Sequence, residues 1–206
     1  MFSGYLARQL SIPSGIVGRL VLAPLWNRRN SALNDAALES LALDPRDRVL
    51  EVGFGGGYLL GRMAAVVTEG LVAGVDVSQA MLEDCERRYR PLIEEGRLEL
   101  SCAGAEALPH PSGRFTKAVT VNSLFYWDDV PQALAELCRV LEKGCRLVLC
   151  LTCKGSLEKR DFARQGLALY EDEELCRAVQ AAGFGQLELS RAADRHREFV
   201  CLVGIK

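Results

Sequence analysis

The chain has no long apolar run and no large excess of charge of either sign. Its longest stretch without Asp, Glu, Lys or Arg is ten residues, whereas a transmembrane helix needs about 20 mostly apolar residues. The 25 basic and 27 acidic residues give a net charge of −2, whereas proteins that bind nucleic-acid phosphates are usually basic. The sequence therefore predicts no integral membrane span and no nucleic-acid partner.

Export and metal-binding patterns are also missing. The apolar N-terminal segment contains Arg8 and Arg19 and lacks the clean apolar run and cleavage site of a signal peptide. The one C-x-x-C motif, Cys150 to Cys153, has neither the second pair nor the spaced histidines of a structural zinc site. We therefore predict no metal, and a packing role for these two cysteines.

Eight cysteines nevertheless raise the question of disulfides. A chain of 206 residues can build a core without them. The cysteines also lie within apolar helix and strand patterns, where a free thiol acts as a small hydrophobic group. These features predict reduced thiols and a cytoplasmic location.

The composition and order of elements indicate one globular domain over residues 1–206. Five apolar strands alternate with helices, which favours a parallel sheet covered on both faces; these strands are predicted at 48–53, 70–77, 97–102, 115–122 and 146–152. The helix before the fifth strand should end at Gly144. Two closing strands are separated only by residues 191–197, so they should form an antiparallel hairpin.

The strongest local pattern is "LEVGFGGG" at residues 50–57. Gly53, Gly55 and Gly57 alternate through a strand-to-helix turn, where glycine permits a tight backbone and close approach of a ligand. Glu51 precedes them, and Asp76 ends the second predicted strand, where an acid suits ribose hydroxyls. The pattern predicts a nucleoside site at the carboxyl edge of the sheet.

Two other nucleotide-binding patterns fail. A dinucleotide fingerprint needs a third glycine five positions after the first, but Tyr58 and Leu60 occupy that position in the two possible registers. A phosphate-binding loop for nucleoside triphosphates needs a lysine after the glycines, and none is present. An NAD-dependent reductase is therefore the less favoured interpretation.

The E-x-G-x-G-x-G loop, the acid ending the second strand and the terminal hairpin resemble the class I S-adenosylmethionine-dependent methyltransferases. "GAEALPHPSGRFTKAVTVNSLFYWDD" and "ALAELCRVLEKGCRLVL" continue the resemblance, which is closest to the small-molecule group that includes the quinone-biosynthesis enzymes. It implies an α/β, Rossmann-like methyltransferase fold: a doubly wound, mostly parallel seven-stranded sheet with an antiparallel C-terminal hairpin. It also implies methyl transfer from S-adenosylmethionine, with S-adenosylhomocysteine as the product.

The resemblance assigns roles to individual residues. The glycines would pass beside the methionine part, Asp76 would bind the ribose, and Asn122 would border the methionine. Many relatives have an acid at the position of Gly104, which would take the adenine amino group. The full set expected to bind the cofactor is Glu51, Gly53, Phe54, Gly55, Gly57, Asp76, Val77, Met81, Ala105, Glu106 and Asn122.

The acceptor side is predicted from aromatic and apolar residues. Tyr126, Trp127 and Trp26 are expected to line it, with Tyr126 and Asp128 as candidate catalytic groups; Asp128 and Asp129 also fit an ordinary helix start. Residues 1–29 form a predicted N-terminal helical cover over this side. We expect a small, largely apolar acceptor; a non-catalytic nucleoside-binding module is the alternative, and the oligomeric state stays open.

Overall fold

A computed structural model describes residues 30–158 and 169–206. The predicted cover at residues 1–29 and its Trp26 lie outside the described residues. The helices are α1 (Ser31–Leu41), α2 (Tyr58–Val66), α3 (Gln79–Arg88), α4 (Arg90–Glu94), α5 (Val130–Val140), α6 (Lys154–Glu158) and α7 (Asp172–Ala181), with a 3₁₀ turn at Leu124–Tyr126. The strands are β1 (Arg48–Val52), β2 (Leu71–Asp76), β3 (Leu98–Cys102), β4 (Phe115–Val121), β5 (Leu141–Thr152), β6 (Gly185–Ala193) and β7 (Glu198–Ile205).

The strands form one seven-stranded sheet in the order β3-β2-β1-β4-β5-β7-β6. The pairs among β1 to β5 are parallel, and β7 runs antiparallel to both of its neighbours. Asp194 closes the β6–β7 hairpin, since its carboxylate accepts hydrogen bonds from the backbone of His196 and Arg197. The predicted fold class is confirmed.

Helices cover both faces of the sheet because the central strands are apolar on both sides. On one face, α1 packs against β4, β5 and β7, α2 packs against β2, and α3 packs against β2 and β3. These helices bury residues such as Leu41, Met63 and Cys85. On the other face, α5 packs against β5 and α7 packs against β6 and β7, and they bury Leu134 and Val179 in one apolar cluster. Parallel strands with this double cover read as continuous apolar runs in the sequence.

The boundary between α5 and β5 differs from the prediction. The helix ends at Val140, and β5 already begins at Leu141. Leu141 is fully buried and pairs with Phe115 at the start of β4, so tertiary packing overrides the local helix pattern. Gly144, the expected helix end, lies within β5 with φ of 77° and donates its N–H to Lys206 O at 2.9 Å.

Two local predictions are wrong. Cys150 and Cys201, directly opposite each other on β5 and β7, are joined by a disulfide, while the other six cysteines are free. The prediction of reduced thiols fails for this pair because the antiparallel register places the two residues side by side. The second concerns His110: its place between two prolines predicts a surface histidine, but it is 8% exposed and packs edge-on against Phe115.

Membrane spanning finds no support in the described part of the chain, since none of its helices is both long and apolar enough to cross a bilayer.

Candidate functional site

The glycine loop follows β1, Asp76 ends β2 and Asn122 follows β4, so these predicted site residues lie at the carboxyl edge of the sheet. The loop and Asn122 belong to the two strands β1 and β4. These strands are neighbours, and the chain order reverses between them, with β2 and β3 on one side and β5 on the other. Ligands of open α/β sheets bind in the crevice that such a reversal creates. The loop after β1 and the turn after β4 form the two sides of this cleft.

The glycine loop needs its glycines because of their backbone angles. Gly53, Gly55 and Gly57 have φ values of 80°, 49° and 71°, a region that side chains with a Cβ rarely adopt. Space is a second requirement at Gly53, since a Cβ there would lie 2.4 Å from the Cβ of Ser123. The backbone of the glycine loop at Gly53 therefore packs directly against the side chain of Ser123 in the turn after β4.

Asp76 connects this loop to the end of β2. One carboxylate oxygen accepts a hydrogen bond from Gly55 N at 2.8 Å, and the other accepts one from Ser78 N at 2.9 Å. Burial raises the pKa of Asp76, while these two backbone donors oppose the increase. The carboxylate is thus fixed at the position where the sequence predicts a ribose-binding acid.

Glu51 is the most unusual group in the site. Its side chain is 3% exposed, and its Oε2 atom is buried with no hydrogen-bond partner. Burial, followed by the negative charge of Asp76, raises the pKa of Glu51 well above its ordinary value. A buried, incompletely bonded acid is destabilising on its own, so its place beside the cleft indicates a ligand that donates hydrogen bonds or carries positive charge.

Asn122 occupies the end of β4 with φ of 54°, a left-handed conformation that Asn tolerates better than most residues. Its side-chain oxygen accepts a hydrogen bond from Thr152 N at 2.8 Å, and its amide donates to Asn30 Oδ1 at 3.2 Å. The residue therefore joins β4, the end of β5 and the entry to α1. Its amide position borders the same cleft.

The missing acid at Gly104 has a structural counterpart. A Cβ at Gly104 would lie 2.9 Å from Oε2 of Glu106, so the Glu106 carboxylate folds back over the glycine. The other oxygen, Oε1, accepts hydrogen bonds from the backbone N–H groups of Asp128 and Asp129 at 3.0 and 3.4 Å. Glu106 thus connects the loop after β3 to the turn after β4.

The aromatic residues after β4 separate into two groups. Phe125 is 7% exposed and belongs to the core, whereas Tyr126 and Trp127 are partly exposed at the cleft. Burial raises the pKa of the Tyr126 phenol, which keeps it protonated near neutral pH. Asp129 begins α5, since its carboxylate accepts a hydrogen bond from Gln132 N at 3.0 Å.

Asp128 is exposed, and its backbone N–H is the group that Glu106 holds. Its position next to Tyr126 and Trp127 leaves its carboxylate available for a proton transfer at the cleft. Its assignment as a catalytic group stays a prediction.

Three predicted cofactor residues are less accessible than expected. Phe54, Met81 and Ala105 are 3%, 2% and 4% exposed, and the Phe54 ring lies 2.8 Å from the point where a Cβ on Gly74 would sit. Their contact with the cofactor stays a prediction. Val77 is the opposite case, because it is 52% exposed immediately after Asp76.

Ser123 is a site residue that the sequence interpretation missed. Its hydroxyl lies 2.7 Å from Thr120 Oγ1 and donates to Val52 O at 3.2 Å. It therefore fixes the turn after β4 to the end of β1. No motif marks it, and its role becomes apparent only from its contact with Gly53.

Metal binding receives no support within residues 30–158 and 169–206, where His, Cys, Asp and Glu side chains form no group of three that could hold an ion.

Comparison with known sequences identifies the same region. Residues 49–144 match the family model of a methyltransferase domain. The chain is 29% identical to the uncharacterized methyltransferase YdaC of Bacillus subtilis, over 78% of this chain and 83% of that protein. It is 32% identical to a 2-phytyl-1,4-naphtoquinone methyltransferase of Synechococcus elongatus, over 62% of this chain, and spans 59% of that relative's length.

A solved structure shares the fold. Geranyl diphosphate methyltransferase in complex with S-adenosylmethionine superimposes with a TM-score of 0.73 at 17% identity, covering 94% of this chain and 92% of the other. Because the superposition covers 94% of this chain, the similarity extends well beyond the β1–α2 loop.

Proposed function

We propose that this chain is a class I S-adenosylmethionine-dependent methyltransferase that transfers a methyl group from S-adenosylmethionine to a small, largely apolar acceptor. The match of residues 49–144 to a methyltransferase domain and the similarity to two methyltransferases support this proposal. The observation that carries the proposal is the acidic pair Glu51 and Asp76 at the glycine loop. Glu51 Oε2 is buried without a partner, and its pKa is raised partly by the charge of Asp76. A positively charged ligand relieves both penalties.

This charge pattern favours S-adenosylmethionine over NAD. S-adenosylmethionine carries a sulfonium and an ammonium group, which two carboxyl groups attract. NAD carries a pyrophosphate at the glycine loop, which Glu51 would repel at close range, whereas Asp76 suits the ribose of either ligand. Among the residues near the loop, Glu51 would accept hydrogen bonds from the ammonium group, and Asp76 would bind the ribose hydroxyls, as acids at the end of β2 do in nucleoside sites.

The remaining parts of the cofactor would meet less polar surfaces. The exposed Val77 follows Asp76 and would lie against the adenine, while Glu106 borders its edge. Asn122 would border the methionine part, from a position fixed by Thr152 N. S-adenosylmethionine supplies an already activated methyl group when bound, so the main task of the protein is to hold the acceptor in line with it.

Tyr126 and Trp127 would hold that acceptor on the side of the cleft formed by the turn after β4. The raised pKa of Tyr126 keeps its hydroxyl protonated, so it would orient the acceptor as a hydrogen-bond donor and not act as a base. Asp128, which is exposed beside them, is the candidate to take a proton from an acceptor that must lose one.

An apolar acceptor is supported by the sequence and by one relative. Residues 1–26 contain many apolar side chains and only two charges, and we propose that residues 1–29 cover the acceptor side. The relative from Synechococcus elongatus carries the name of an enzyme that methylates a phytyl-substituted naphthoquinone. The class of acceptor for the present chain would accordingly be an aromatic or isoprenoid-bearing small molecule.

The proposal is tested with methyl-labelled S-adenosylmethionine and organic extracts of cells. We expect label to move into a solvent-extractable small molecule, with S-adenosylhomocysteine formed in equal amount. At a cofactor concentration near the wild-type dissociation constant, the Asp76→Ala variant should give much less of both products. If the protein binds S-adenosylhomocysteine but transfers no label to any extract fraction or to a panel of quinols and phenols, the non-catalytic binding module is the correct interpretation.

A further inference from the structure

Three side chains at the C-terminal end of α3, two from the helix and one from the residue that follows it, contact the backbone of the glycine loop. Cys85 Sγ lies 3.7 Å from Gly55 O and donates to it. Arg88 donates from its guanidinium to Gly56 O at 2.7 Å, and the Tyr89 hydroxyl donates to Gly57 O at 2.8 Å. Three consecutive carbonyl groups of the loop therefore each accept a hydrogen bond from a different side chain.

We propose that Cys85, Arg88 and Tyr89 are positioning residues that hold the glycine loop in its ligand-binding shape and thereby set the affinity for the cofactor. The proposal rests on the function proposed above, and it assigns this role to side chains that do not themselves contact the cofactor. Together these three residues form what we call the loop clamp.

The loop clamp fixes the orientation of the peptide groups in the glycine loop. In a trans peptide the C=O and N–H point in opposite directions. Because the carbonyls of Gly55, Gly56 and Gly57 point to α3, the N–H groups that follow them in the chain point away from it. A loop of glycines has many accessible conformations, and fixing three successive planes removes this freedom before the ligand binds.

Two glycines, one just before α2 and one within it, leave the space into which the loop clamp packs. A Cβ at Gly57 would lie 2.6 Å from Cys85 Sγ and 3.1 Å from the Tyr89 ring. A Cβ at Gly61, one turn later, would lie 2.7 Å from the Tyr89 hydroxyl oxygen. Gly61 lies inside a helix, where glycine costs about 1 kcal/mol relative to alanine, and the space that Tyr89 needs explains this otherwise unfavourable residue.

The Cys85 thiol and the contact between Arg88 and Tyr89 also favour donation of hydrogen bonds to the loop. Burial raises the pKa of Cys85 to about 12, so its thiol keeps the proton that it donates to Gly55 O. The Arg88 guanidinium also lies 5.9 Å from the centre of the Tyr89 ring, within the range of a cation–π contact. The two donors therefore support one another as well as the loop.

The test measures the affinity for S-adenosylhomocysteine by isothermal titration calorimetry, first in three variants of the loop clamp. Tyr89→Phe removes only the hydroxyl, and Arg88→Ala removes an exposed side chain that the core does not need. A net hydrogen bond is worth about 0.5–1.5 kcal/mol, so each variant should raise the dissociation constant about threefold to tenfold with unchanged binding stoichiometry. Arg88→Lys should recover part of the loss.

Arg87→Ala is the matched control. Arg87 is the neighbouring exposed arginine, but it pairs with Asp84 and makes no hydrogen bond to the loop. Its removal changes the net charge as Arg88→Ala does, and it should leave the dissociation constant within about twofold of wild type.

Gly61→Ala gives a second, independent test. Helix propensity alone predicts a more stable protein with unchanged binding. The loop clamp predicts weaker binding, because the new methyl group displaces the Tyr89 hydroxyl. Adding Gly61→Ala to Tyr89→Phe should then cost less affinity than adding it to wild type, since the hydroxyl is already absent.

Three outcomes separate the proposals. Wild-type affinity in Tyr89→Phe, Arg88→Ala and Gly61→Ala alike would overturn the loop clamp while leaving the cofactor assignment intact. Reduced melting temperatures with unchanged dissociation constants would show a merely structural role and overturn it too. Failure of the wild-type protein to bind S-adenosylhomocysteine would overturn the proposed function itself.

Discussion

Glu51 combines deep burial with an unsatisfied oxygen, and this combination has a measurable consequence for pH dependence. Burial and the neighbouring Asp76 raise its pKa well above the ordinary 4.5. Below pH 4.5 the carboxyl is protonated in both the folded and the unfolded chain. As the pH rises through the raised pKa, the unfolded chain has already released the proton, so the contribution of Glu51 to stability is lost.

Glu51→Gln should therefore stabilise the protein in the absence of ligand. The free energy of unfolding of the variant, from urea titrations, should exceed that of wild type at pH 8 by more than at pH 4.5. Binding of S-adenosylmethionine should become weaker in the same variant, because an amide cannot neutralise a cation. A variant that is less stable than wild type at pH 8 would show that the Glu51 carboxylate has a protein partner.

Asp76→Ala should weaken the binding of S-adenosylhomocysteine at least tenfold. In the proposed function Asp76 would accept two charge-assisted hydrogen bonds from the ribose, each worth about 1.5–3 kcal/mol, and the substitution would remove both. It also removes the acceptor for Gly55 N and Ser78 N, so the melting temperature should fall as well. Calorimetric titration and thermal unfolding check both effects.

Asp172→Ala is the control for this substitution. Asp172 lies in the first turn of α7 and pairs with Arg191, away from the cleft. Its removal should leave the affinity unchanged. Unchanged affinity in Asp76→Ala as well would mean that the ribose binds elsewhere.

The N-terminal segment is the element whose role remains a prediction. We expect deletion of residues 1–24 to retain binding of S-adenosylhomocysteine, because the glycine loop, Asp76 and Glu51 all lie within residues 49–144. Methyl transfer should be lost, since the acceptor loses its apolar cover. Binding titrations and the labelled-methyl assay on the same truncated protein separate the two effects, and transfer at the wild-type rate would contradict the cover.

The β5–β7 pair makes a second prediction at the level of elements. Cys150 and Cys201 are bonded and the other six cysteines are free. Alkylation of the unfolded protein without reductant should modify six thiols, and prior reduction should raise the number to eight. Eight modified thiols without reductant would support the reduced state that the sequence predicts.

Much of the fold can be predicted from the sequence because the relevant signals are local. Apolar strands that alternate with helices predict the parallel sheet, and the short link at 191–197 predicts the hairpin. The end of α5 could not be predicted, because it depends on the pairing of Leu141 with Phe115, 26 residues apart in the chain. The disulfide depends in the same way on a cross-strand register.

The site residues likewise divide into those that a local sequence signal marks and those whose role depends on contacts between distant segments. The glycine loop and Asp76 are recognisable because backbone conformation and strand ends impose residue types on a short segment. The loop clamp and Ser123 are not recognisable, since their function lies in contacts between distant segments, such as Tyr89 with Gly57. For Phe54 the contact with a ligand stays a prediction that rests on its position in the motif, and the structure adds only that its ring lies close to Gly74.

For the molecule as a whole, the central claim is that the cleft between β1 and β4 binds an S-adenosylmethionine-type ligand and not a dinucleotide. The most direct measurement is the stabilisation of the protein by S-adenosylhomocysteine and by NAD at equal concentrations. S-adenosylhomocysteine at a hundredfold excess over its dissociation constant should raise the free energy of unfolding by about 2.7 kcal/mol, and NAD should have almost no effect. An equal or larger response to NAD would contradict the account.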